Sequence, residues 1–163
     1  MQAYSQQELD HIKKVKDKND RLENFFLQKR EVWSKDLKPL FEVVKLQLTR
    51  ETSIRITETQ SLALAYRQRA NEHISEFLDK RSRQDVKIKK LKQDKFLFYA
   101  TGFGVKTNYG EKQILIEAHL GEEQRNMEII ENYIEFLRLM NKNLEALQYT
   151  IKNIIELFNI LSR

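Results

Sequence analysis

The chain has 163 residues and a mass of 19.6 kDa, is 40% hydrophobic and 33% charged, and contains four glycines, one proline and no cysteine. This composition excludes disulfides, thiolate nucleophiles and cysteine-based metal sites, and points to one domain made mostly of long helices. The net charge of +5 is concentrated in one place, because residues 80–95, KRSRQDVKIKKLKQDK, hold eight basic and two acidic side chains, whereas the segments on either side are nearly neutral or acidic.

From the N-terminus, Leu9, Ile12, Val15, Leu22, Phe26, Trp33 and Leu37 form a weak helical stripe. It predicts a helical extension over residues 1–48, ahead of a core at 49–163. Proline lacks an N–H and restricts its predecessor, so Lys38-Pro39 predicts the end of one helix and PLFEVVKLQL the start of another. The next long helix is predicted over 54–98, from Ile56, Ala63, Tyr66, Ala70, Ile74, Phe77, Ile88, Leu91 and Phe98. Its apolar face lapses around Arg81 and Gln84, where the helix is expected to leave the bundle or to line a shared surface.

All four glycines fall between residues 102 and 121, which predicts a loop over 100–121, with QILIEAHL compatible with a short strand or a helical turn. A final helix is predicted over 122–163. Its seam is apolar at every site: Ile130, Leu137, Leu144, Ile151 and Phe158 at one heptad position, and Tyr133, Met140, Leu147, Ile154 and Leu161 three residues after each. So saturated a seam predicts self-association. The expected fold is therefore all-α: long antiparallel helices forming a hairpin or bundle with a glycine-containing loop, oligomerising through coiled-coil-like seams.

Chemistry leaves few marks on the sequence. His11, His73 and His119 lie far apart, and the glutamates fall at helical surface spacing beside basic residues, so the chain reads as a non-enzyme without a cofactor or metal. The glycines match neither a dinucleotide fingerprint nor a P-loop. TGFGVKTNY partly echoes the aromatic strand of an RNA-recognition motif but lacks that module's alternating strands and helices. No cleavable leader and no apolar run near about 18 residues is present, so a cytoplasmic protein with no membrane partner is expected.

The basic segment is the informative one. Arg81, Arg83, Lys87, Lys89, Lys90, Lys92 and Lys95 lead directly into Phe96, Phe98, Tyr99 and Phe103. Cations neutralise phosphates and exposed rings stack on unpaired bases, which together predict a surface for single-stranded nucleic acid. Phe98 and Tyr99, the latter for its polar tip, are the expected stacking residues, and at least half of Phe96, Phe98 and Phe103 are expected to plug the end of the bundle.

DKFLFYATG followed by RNMEIIENYIEFLRLMNKNLEALQYTIKNIIELF resembles the UvsY family, recombination mediators of T-even-like phages. The likeness runs from about Lys87 to Leu161. Carried over by position, it implies that Lys95 is the basic residue before the aromatic pair Phe98 and Tyr99, and that Gly102 closes the turn. A second basic position of the family falls on Gln93, with Lys92 or Lys90 adjacent. The resemblance implies a ring-like homo-oligomer in the host cell cytoplasm that binds single-stranded DNA and helps a RecA-like recombinase displace single-strand-binding protein. The alternative is a non-enzymatic coiled-coil assembly or scaffolding protein whose basic helix docks an acidic partner.

Overall fold

The computed structural model describes residues 6–101 and 108–162, and the protein is all-α, with no strand among the described residues. Three long helices pack against one another: α1 (Gln6–Glu42), α2 (Arg50–Thr101) and α3 (Tyr109–Leu161), with a short 3-10 turn at Val43–Lys45 after α1. No helix is long and apolar enough to cross a membrane among the described residues.

Two of the helix starts are fixed by reciprocal caps. Ahead of α2, the Thr49 N–H donates to Thr52 Oγ1 at 2.8 Å and the Thr52 N–H to Thr49 Oγ1 at 3.2 Å. Ahead of α3, the Asn108 N–H donates to Glu111 Oε2 at 3.1 Å and the Glu111 N–H to Asn108 Oδ1 at 2.8 Å. Each pair satisfies two backbone donors that a helix start leaves without partners, an arrangement worth about 1 kcal/mol per cap.

The chain divides into two compact units, and each draws on all three helices: Met1–Phe25 with Phe77–Asn132, and Phe26–Glu76 with Tyr133–Arg163. In the second unit Phe26 stacks on Tyr133 with ring centroids 4.3 Å apart. Trp33 meets Tyr66 and His73 edge-on, at 6.0 and 6.2 Å, and lies under the Arg69 guanidinium at 5.3 Å. Ala63 and Ala70 are fully enclosed, the small side chains that close helix approach requires. Arg67 spans one edge of this unit, donating to Asn141 Oδ1, Gln148 Oε1 and Glu145 Oε1 at 3.1, 2.7 and 3.2 Å.

The first unit buries more polar side chains, Asn19, Glu123 and Asn126. Ile88, Tyr99, Ile116 and Leu120 form its apolar cluster, with Leu91, Leu115 and Met127 packed against it. Beside that cluster lies a buried polar layer. Asn19 donates to the Glu122 carbonyl at 2.7 Å and carboxylate at 3.0 Å, and accepts from Asn126 Nδ2 at 2.7 Å. Arg125 closes the layer on Asp20 and Glu23, at 2.8 and 2.7 Å.

Several expectations are corrected. Pro39 lies inside α1, which runs on to Glu42: one backbone hydrogen bond is lost near the helix end, while Leu37, Leu40 and Val43 on either side stay buried. α2 begins at Arg50, four residues before the predicted start. The loop expected over 100–121 shrinks, because α3 begins at Tyr109 and carries Gly110 and Gly121 within it, with QILIEAHL helical. Ile116 and Leu120 hold that stretch in the core, and burying two such side chains, at roughly 1.5–3 kcal/mol each, outweighs a helical glycine's cost of about 1 kcal/mol. Gly102 and Phe103 lie outside the described residues.

The heptad seam is used differently from what was expected. Ile130, Tyr133, Leu137, Leu144, Leu147 and Ile151 are buried within the chain itself, Met140, Ile154 and Phe158 are half-buried, and Leu161 is exposed. α1 and α2 supply the apolar faces that the seam needs, so most of it is not open to another subunit.

Candidate nucleic-acid interface

The geometry of the basic segment follows from the phase of α2. Ile56, Ala63, Ala70 and Phe77 are buried at intervals of seven, and Phe77, Ile88 and Tyr99 at intervals of eleven. Eleven residues make about three turns of helix at 3.6 residues per turn, so Tyr99 falls under Ile88 and Phe98 does not. The expectation for the aromatic pair is therefore reversed at Tyr99. Only 5% of Tyr99 is exposed, and its hydroxyl lies 2.6 Å from His119 Nε2. Phe98 and Phe96 are 48% and 41% exposed. Burial holds His119 below the ordinary imidazole range; the charge of Lys95 acts in the same direction and that of Glu8 against it. His119 is thus a neutral partner for the Tyr99 hydroxyl near pH 7.

The polar lapse at Arg81 and Gln84 is filled from within the chain. Gln84 donates to the Glu123 carbonyl at 3.0 Å and carboxylate at 2.8 Å, and Arg81 Nε meets Glu131 at 2.6 Å. Lys87 is drawn into the same group, with Nζ 2.7 Å from Glu123, and His11 Nε2 is 3.7 Å from that carboxylate. Burial pushes Glu123 up, but hydrogen bonds from Lys87 and Gln84, with the charges of Lys87 and His11, outweigh it and hold the carboxyl below its usual range. Lys95 pairs with Glu8 of α1 and sits 5.8 Å from the Phe98 ring centroid.

The seven predicted cations therefore fall into three groups. Arg81, Lys87 and Lys95 are committed to carboxylates of other helices. Arg83 and Lys89 make exposed pairs one turn back along α2, with Asp79 at 2.7 Å and Asp85 at 2.6 Å, an interaction of only about 0.3–0.5 kcal/mol. Lys90 and Lys92 are exposed and form no ion pair among the described residues.

Lys89, Lys92, Gln93 and Phe96 stand at positions i, i+3, i+4 and i+7, and so share one face of α2. Across from them the first turns of α3 present Tyr109, Gln113 and Ile116, and together these residues line a cavity of about 300 Å³. The Phe96 and Tyr109 rings meet there at 64°, with centroids 6.3 Å apart. Neither Phe96 nor Tyr109 was singled out from sequence as a site residue. The signal was present in NYGE, whose Asn and Glu make the reciprocal cap and set Tyr109 at the first turn of α3.

No protein-family model, curated protein or solved structure matches the chain.

Proposed function

We propose that the protein is a single-stranded-DNA-binding recombination mediator without an active site, one that helps load a RecA-like recombinase onto strands coated by single-strand-binding protein. The observation that carries this reading is the run of exposed, unpaired or weakly paired cations, Lys89, Lys90 and Lys92, directly before the exposed rings Phe96 and Phe98 on one continuous helix. Phosphates meet the first group and unpaired bases the second. The resemblance of residues from Lys87 to Leu161 to the UvsY family supplies the recombinase, the single-strand-binding protein and the cytoplasmic setting of this reading.

Contacts in the first unit support the hairpin form of the fold. Arg81 pairs with Glu131, Gln84 with Glu123 and Tyr99 with His119, so positions rise along α2 as they fall along α3. The ring-like assembly rests on a surface other than the buried part of the seam. Leu139, Tyr149, Leu157, Ile160 and Leu161 are each more than half exposed on the C-terminal part of α3, and self-association would cover them.

The scaffold alternative draws its support from Arg81, Lys87 and Lys95, which show this basic helix engaging carboxylates of its own chain. A binding titration with labelled oligo-dT at two salt concentrations separates the readings. Trp33 is 4% exposed and would not report on bases, so the label belongs on the DNA. The mediator binds with a log–log salt slope of about −0.7 per phosphate contacted, and Lys90→Ala with Lys92→Ala flattens that slope. A scaffold gives no binding to the oligonucleotide in dilute buffer.

A further inference from the structure

We infer that the cavity between α2 and the start of α3 is a seat for one unpaired nucleotide, its base against Phe96 and Tyr109 and its phosphate at Lys89 and Lys92; this rests on the single-strand reading above. At about 300 Å³ it lies at the lower bound of small-molecule sites, about the size for a single nucleotide and too small for a duplex or a folded partner. Its lining combines the features such a ligand requires. Two rings set edge-to-face leave one face for a base to stack on while the second ring meets the base's edge. Among the described residues Lys92 is without an ion pair and Lys89 has only its exposed pair with Asp85, so both ammonium groups can turn to a phosphodiester.

The two glutamines make the seat suited to a base in particular. Each side-chain amide both donates and accepts, as base edges do, and among the described residues Gln113 has only a long contact of 3.4 Å to Glu117 to give up. A fatty or purely anionic ligand would leave those amides without use. Tyr109 is 71% exposed, so it costs the bundle little and is free to close over a ligand.

The experiment compares oligo-dT with an abasic strand of the same length and charge, using the full chain and its Tyr109→Ala and Tyr109→Phe variants. The intact protein should hold oligo-dT about tenfold more tightly than the abasic strand, the scale of one base stacked on an aromatic side chain. Tyr109→Ala should bring the two strands within twofold of each other with an unchanged salt slope and circular dichroism spectrum, and Tyr109→Phe should keep the wild-type preference. A preference that survives Tyr109→Ala overturns the nucleotide seat alone, whereas equal binding of the two strands by the intact protein overturns the seat together with the stacking of bases on Phe96 and Phe98. Binding of neither strand overturns both.

Discussion

Glu123 and His119, one turn apart on α3, have folded-state ionisation displaced downward for different reasons, and each predicts its own window of acid sensitivity. A lowered imidazole takes up a proton more readily once unfolded. His119 therefore contributes stability above about pH 6.5, and this is lost as the pH falls from there through its folded value. Glu123 contributes above about pH 4.3, and its share is lost as the pH falls through a folded value lower still. Denaturant titrations over a pH series should show two separate declines, and His119→Gln should flatten the upper one alone. Lys87→Met takes the ammonium away from a carboxyl group that is only 4% exposed, and should cost about 1–3 kcal/mol in the same assay. Glu8→Gln acts about two turns further along α2: it releases Lys95 from its pair, and should tighten oligo-dT binding while steepening the salt slope by about 0.7.

At the scale of elements, helix content was legible in the sequence and helix ends were not. Apolar positions at helical spacing predicted α2 and the long C-terminal part of α3, since burial follows that spacing in any helix whose partners are helices. Glycine and proline misled for a common reason: their cost is local, about 1 kcal/mol for a helical glycine and about 3 kcal/mol for a helical proline, whereas the face they interrupt is long. Gly121 illustrates this, for a Cβ built there meets nothing within 4 Å. Gly121→Ala should raise stability by about 0.5–1 kcal/mol and shift the thermal midpoint upward without moving any contact. The site was half legible. The density of lysines was plain, but which of them are already engaged depends on Glu8, Glu123 and Glu131, carboxylates of other segments that local spacing does not bring near. Tyr99 was read as exposed because its polar tip was weighed above its phase, and only the change from seven-residue to eleven-residue intervals after Phe77 puts it inside.

For the molecule as a whole, the net charge of +5 sits on a chain whose two units are built differently, one around an aromatic and aliphatic core and one around an apolar cluster supplemented by a layer of amides and carboxylates. Self-association has to use what folding leaves uncovered. Leu157→Lys with Ile160→Lys should therefore lower the mass measured by light scattering while leaving helicity intact, and a partner-free mass in the unaltered protein would remove the ring from the reading. The Asn19, Asn126 and Glu122 layer bears on how such a chain tolerates insertions and deletions. Adding or removing a full heptad in α3 between this layer and the part of the seam at residues 137–151 would preserve the greasy pattern almost perfectly, yet would set hydrocarbon opposite the Asn19 amide. Length changes in related chains should accordingly come as compensating pairs on α1 and α3, and alignments scored on hydrophobicity alone would miss them.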